Sequence, residues 1–148
     1  KARALISQLQ SFDCKFTYHG SNHHIRYITP EQHLQYKYQI NIDGATATWE
    51  RLVWQLSSNC TVIKPNSNKV QWYYNALQPY VHYYPVDNTI EAIINAYHKL
   101  EQNPKLATTI ANNGQQFANN NLSIEDMLAY IVNLLHAYNQ QIFEHCKV

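Results

Sequence analysis

The segment Tyr36–Leu56, YKYQINIDGATATWERLVWQL, decides how the rest of the chain reads. QINID is a compact strand, and Asp43-Gly44 after it is a turn signal. ATATWERLVWQLSS then has helical spacing, with Leu52, Val53 and Leu56 on one side and Trp49 reachable from the same face. A strand that turns at a glycine and enters a helix is a layout that holds phosphate in many proteins. Gly44 permits positive φ or a close backbone approach. A helix start offers unpaired N–H groups and a partial positive charge. Thr46 and Thr48 add hydroxyls, and Arg51, about one turn further in, adds a fixed cation. There is only one glycine, and no P-loop lysine follows it. Residue types alone leave two readings equally open: a diphosphate cradle, or a plain βα turn capped by Thr46 with Arg51 solvated.

Outward from this segment the pattern continues as α/β. CTVIK is the next strand, closed by PNSNK. KVQWYYNAL reads as a short helix ending before Pro79, and YVHYYPV as a further strand ended by Pro85 and Asp87. The remainder is helical: TIEAIINAYHKLEQN, then PKLATTIANNGQQFANN with a break expected near Gly114. Last comes SIEDMLAYIVNLLHAYNQQIFEHC, with Ser123 as N-cap and Asp126 at the position where a capping box has Glu. Met127, Ile131, Leu134, Leu135 and Tyr138 form its apolar stripe. Upstream, Thr29-Pro30 offers an N-cap and first-turn proline. Ala2–Phe12 reads as an amphipathic helix and CKFTYHG as a short strand. Strands alternating with helices predict a parallel sheet flanked by helices, with a helical tail. No repeat or Gly/Ser linker divides the chain, so residues 1–148 read as one domain.

Composition narrows the function classes. The chain has 148 residues, 45% hydrophobic and 14% charged, with formal net charge +1. That is a globular composition without the basic stripe of a nucleic-acid binder. Twelve tyrosines and three tryptophans supply rings with polar handles, a chemistry that lines sugar and base sites as well as ordinary cores. Cys14, Cys60 and Cys146 are far apart and form no CxxC pair, which fits a reducing compartment. Eight histidines lack an HExxH motif or nearby carboxylates, so no metal is expected. No long apolar run predicts a membrane span, and the N-terminus lacks a signal-peptide core. It also lacks an initiator methionine, as a piece of a longer protein would.

In a parallel sheet, ligands settle at the carboxyl ends of strands. Three such ends are candidates: Asp43-Gly44, Lys64-Pro65, and the block from His82 to Pro85. A buried aromatic strand with a backbone-satisfied His82, and a solvated Lys64, are the plain alternatives. No GxSxG, Cys/His signature or poised acid pair supports covalent catalysis.

The run YKYQINIDGATATWERLVWQLSSNCTVIKPNS, followed by QWYYNALQPYVHYYPV, resembles the CAP10-type glycosyltransferases of family 90. These include lipopolysaccharide core glycosyltransferases and protein O-glucosyltransferases. IANNGQQFANNNLSIEDMLAY is similar to the family's C-terminal pattern. The resemblance implies a single Rossmann-like domain over residues 1–148, the donor-binding C-terminal half of a metal-independent GT-B enzyme that transfers a sugar from a nucleotide donor, typically UDP-linked, with no further cofactor. The donor pattern falls on Gly44, Ala45, Thr46, Ala47, Thr48 and Arg51, with Asp43, Lys64, His82 and Tyr83 at the neighbouring strand ends. In many members the arginine lies one residue earlier, where this chain has Glu50. The family's catalytic aspartate lies in an N-terminal half, for which this sequence shows no candidate. The implied partners are a nucleotide-sugar donor, a glycan acceptor such as lipopolysaccharide core, and that N-terminal half, in a cytoplasmic enzyme at the inner membrane. The other reading is a non-catalytic nucleotide- or glycan-binding module.

Overall fold

Val62 and Ile63 are adjacent in one strand and both are fully buried, because each founds a separate core on its own face of the sheet. The computed structural model describes residues 29–145. The expected helix at Ala2–Phe12, the strand CKFTYHG, Cys14 and Cys146 lie outside these. The elements are α1 (Pro30–His33), β1 (Tyr38–Ile40), α2 (Glu50–Ser57), β2 (Thr61–Pro65), a 3₁₀ turn (Tyr74–Ala76), β3 (Tyr84–Val86), α3 (Ile90–Gln102), α4 (Pro104–Asn121) and α5 (Ile124–His145). The strands form a parallel sheet in the order β1-β2-β3. The fold is therefore α/β, as the strand–helix alternation predicts, and Rossmann-like, as the family resemblance implies.

Period-two alternation sorts β1 and its extension into two rows. Tyr38, Ile40 and Ile42 pack with Ile63, Val86 and the α3–α4 residues Ile93, Leu100 and Ile110. Gln39 and Asn41, both buried, and Asp43 fall on the opposite row with Val62. That face is closed by Leu52 and Leu56 of α2 and by Phe117 and Ala118 of α4. Both faces are covered, as a parallel sheet requires, so this polar row is buried and needs internal partners.

Two helix starts match the caps expected from the sequence. Thr29 and Gln32 form a reciprocal capping box. Ser123 and Asp126 form another: Ser123 N–H donates to Asp126 Oδ2 at 2.9 Å and Asp126 N–H to Ser123 Oγ at 3.1 Å. Asp thus performs the task usually given to Glu. Thr89 and Asn103 cap α3 and α4.

Four expectations are corrected. KVQWYYNAL forms only a single 3₁₀ turn. YVHYYPV is strand only at Tyr84–Val86, because Tyr80 to Tyr83 form a turn held by Tyr80 N–H to Tyr83 O at 2.8 Å. The β1–α2 helix begins at Glu50 rather than directly after Gly44. No break occurs at Gly114: α4 runs through it. The glycine serves close packing instead. A Cβ there would sit 2.8 Å from the His82 carbonyl oxygen and 3.1 Å from Leu56 Cδ2.

Gly114→Ala tests this packing. In an exposed helix the change would stabilise by about 1 kcal/mol. Here overpacking against fixed backbone costs about 1–3 kcal/mol, so urea denaturation should show a net loss. A gain in stability would remove the packing argument.

Candidate functional site

The carboxyl end of the sheet carries a cavity of about 320 Å³. Its wall comes from the segments after all three strands: Ile42 to Gly44 after β1, Pro65 to Lys69 around the end of β2, and Asn88 after β3. This is where a ligand settles in a parallel α/β sheet. The PNSNK run, which reads as a mere closing turn, supplies most of the polar lining.

Beneath the cavity lies a buried ion pair. Lys64 Nζ donates to Asp43 Oδ2 at 3.1 Å, with the two side chains only 9% and 5% exposed. Lys64 Nζ also sits 5.0 Å from the centre of the Tyr74 ring, a cation–π contact. Asp43 Oδ1 and the hydroxyls of Tyr73 and Tyr74 are buried and have no hydrogen-bond partner among the described residues. Burial, reinforced by the Asp43 charge, pushes the Tyr74 hydroxyl up to about 12, and burial raises that of Tyr73 further. Both phenols are therefore neutral hydrogen-bond donors at physiological pH.

The loop from Gly44 to Trp49 is anchored from below. Asn41 Nδ2 donates to Gln55 Oε1 at 2.6 Å, and Thr48 Oγ1 donates to Asn41 Oδ1 at 2.9 Å. One buried asparagine thus ties β1, the loop and α2. Thr46 Oγ1 donates to Ala47 O and accepts from the Trp49 indole N–H at 2.9 Å. Ala47 is buried, whereas Gly44, Ala45 and Thr46 are exposed. Trp49 has φ 51° and ψ −130°, and Arg51 N–H bonds to Thr48 O at 3.0 Å. That is a tight turn whose first central residue favours glycine. A tryptophan there stores backbone strain, while its side chain stays 69% exposed. Such strain concentrates at functional sites. The start of α2 also has no side-chain cap, which leaves helix N–H groups for another acceptor.

The structure therefore gathers only part of the expected set. Asp43 and Gly44 line the cavity. Lys64 lies behind Asp43. Thr48 is engaged in the network. Arg51 is exposed and close enough to His33 to help burial depress the His33 pKa. His82 and Tyr83 precede β3 rather than ending it, which corrects their strand-end placement. His82 stacks on Phe117, with ring centres 4.6 Å apart, and accepts from Gln78 N–H at 3.0 Å. Tyr83 lines a different cleft. Asn41, Gln55, Tyr73 and Tyr74 were not singled out by sequence; the alternation in QINID is the signal that could have found the first. Among the described residues no three His, Cys, Asp or Glu side chains stand together as a metal site. Cys60 is a buried thiol, raised to about 11 by desolvation.

The sequence pattern of Glycosyl transferase family 90 matches residues 3–147. The chain belongs to this family. Among curated family 90 relatives, protein O-glucosyltransferase 2 of Danio rerio is 32% identical over 77% of this chain, covering 23% of its own length. Protein O-glucosyltransferase 1 of Rattus norvegicus is 32% identical over 73% of this chain and 27% of its own length. An invertebrate iridescent virus 6 protein, 179R, is 31% identical over 73% of this chain and 10% of its length. The chain thus spans about a quarter or less of these relatives.

The ion pair yields a stability prediction. Lys64→Met leaves the Asp43 carboxylate buried and unpaired and should cost about 3–5 kcal/mol. Adding Asp43→Asn should recover part of that loss. Equal stability of the single and double variants in chemical denaturation would show that the pair is not coupled.

Proposed function

We propose that this domain is the donor-binding part of a glycosyltransferase that moves a sugar from a nucleotide donor, UDP-linked, to an acceptor hydroxyl. The observation that carries the reading is the polar cavity across three strand ends, floored by Asp43 and bordered by a strained, internally braced loop. Gly44 admits the diphosphate close to the backbone, and the uncapped start of α2 offers N–H groups to it. Arg51 supplies a cation for charge on the leaving nucleotide. Asp43 is an acceptor only, so its free Oδ1 suits a ribose or sugar hydroxyl and not a phosphate. Lys64 positions Asp43. Thr46, Ala47 and Thr48 hold the loop, with Ala45 at its exposed tip. His82 and Tyr83 take no part in this donor set.

The acceptor is a glycan such as lipopolysaccharide core by the sequence resemblance, or a protein hydroxyl by the relatives' names. Either acceptor, and the catalytic base, would meet the donor in a further part of the polypeptide, with no metal and no other cofactor. A cytoplasmic position at the inner membrane goes with the lipopolysaccharide acceptor; no helix among the described residues is long and apolar enough to span a membrane.

Calorimetry with UDP tests the donor site. UDP should bind. Arg51→Ala should weaken binding about tenfold, the loss of one charge-assisted contact worth about 1.4 kcal/mol. Trp49→Gly should raise stability by relieving the turn while weakening UDP binding. A folded domain that ignores UDP would sink the donor reading.

α5 is where we place the contact with the rest of the polypeptide. Ile124, Leu128, Ile131, Leu135, Tyr138 and Ile142 repeat at spacings of four and three, and all are exposed. Flanking positions carry Met127, Val132 and Leu134 rather than charges, so the helix is apolar beyond the narrow seam of a charge-specified coiled coil. A helix of this kind is stable only when covered by a large surface, and these relatives are about three times longer than this chain. Sedimentation of the isolated chain should show self-association through this face, abolished by Leu128→Lys with Leu135→Lys while UDP binding persists. A strictly monomeric parent chain would remove the argument.

A further inference from the structure

We propose that the cleft between β3 and α3 is a sugar-binding site, separate from the nucleotide-sugar cavity, that holds a hexose unit of an oligosaccharide. The cleft has a volume of about 560 Å³, within the range of small-molecule sites, roughly 300–1,000 Å³. Its wall is aromatic. Tyr80 and Tyr84 stand edge to face with ring centres 5.4 Å apart. Asn95, Asp87 and Lys99 line the same cleft, and Asp87 is itself 3.4 Å from Asn66 Nδ2.

Tyr80 adds a second, independent observation. Its φ is 63°, in the left-handed region where a large side chain is disfavoured. The turn that imposes this angle is closed by its own N–H to Tyr83 O at 2.8 Å. Yet the residue is 60% exposed, so little burial offsets the strain. A residue held against its backbone preference to present a ring to solvent is a candidate for ligand contact.

The edge of the sheet selects the class of ligand. Among the described strands β3 lies at the edge of the sheet, and Asn66 N–H donates to Val86 O at 2.8 Å. Val86 therefore faces β2, and alternation turns Pro85 outward. Pro85 has no N–H to offer a further strand, so the edge is blunt toward an extended peptide. Side chains therefore carry most of the recognition at this edge. A pyranose has an apolar C–H face for a tyrosine ring and hydroxyls for a carboxylate, an amide and an ammonium group. Asn66 lines this cleft and the carboxyl-edge cavity alike, so an oligosaccharide seated here would lie beside the donor. The proposal goes beyond the donor reading and stands without it.

The test is an amide-shift titration of the 148-residue chain with maltotriose and cellotriose. At least one should shift the amides of Tyr80, Tyr84, Asn95 and Lys99. Tyr80→Ala and Tyr80→Gly should each lose about tenfold or more in affinity. Tyr80→Gly should keep or raise the Tm, because glycine accepts φ 63° without strain, so lost binding would not reflect lost folding. UDP should shift Gly44, Asn68 and Asn88 and leave the Tyr80 group alone, so the two sites fail separately. The proposal is overturned by a folded spectrum that neither sugar shifts at the cleft, by Tyr80→Gly binding sugar as the parent does, or by UDP or a serine-containing peptide shifting those amides in place of sugar.

Discussion

The Asp43–Lys64 pair is the interaction around which the functional end of this domain is arranged. Removing two charges from water costs several kcal/mol per ion, and attraction at 3.1 Å offsets that only when both ions are held in place. Lys64 is held by lying within β2, under the Tyr74 ring. Asp43 is held by the β1 extension, whose backbone Asn41 N–H reaches Ile63 O at 2.9 Å. The ends of the first two strands are thus locked in register by charge as well as by backbone. Among the described residues the other carboxylate oxygen meets no donor, so the same pair that fixes the strands leaves one acceptor unsatisfied.

The polar row of β1 extends this logic. Gln39 donates to His33 O, Asn41 to Gln55, and Asp43 accepts from Lys64. Each polar residue meets a different element, and each partner lies on the α2 side of the sheet. Hydrophobic burial by itself would tolerate small shifts of α2 over β1. Directional bonds do not. The loop between them inherits that precision, and this is why a residue as unsuited to its torsion angles as Trp49 can be kept where it is.

What the sequence made legible follows the strength of each local signal. The capping residues Thr29 and Ser123 marked two helix starts, and the alternation of strand and helix marked the α/β class. β3 was overextended because aromatic, β-branched YVHYYPV has strand propensity throughout, whereas the Tyr80–Tyr83 hydrogen bond closes a turn that propensity does not encode. Gly114 looked like a breaker because its local cost was visible and the His82 carbonyl, 32 positions away, was not. At the site, Gly44 and Asp43 were readable from the strand-turn pattern. Lys64 was readable as a strand-end residue but not as a buried partner, since pairing between residues 21 apart depends on sheet register. Tyr80 carried no signal, because positive φ in a tyrosine is imposed by tertiary context.

The close approach of α4 to the rest of the molecule has a consequence for synthesis of the chain. The three strands pair in the order in which they are made, so the sheet can assemble behind the ribosome. The α2 face cannot close at that stage. Its cover comes from Gly114, Gln115, Phe117 and Ala118, with Gln115 Nε2 donating to Ser57 O at 2.9 Å across 58 residues. Until that helix emerges, Leu52, Leu56 and Val62 lack their lid. A nascent chain halted between β3 and α4 would hold the strands of the donor cavity while still exposing half of the core that keeps them together.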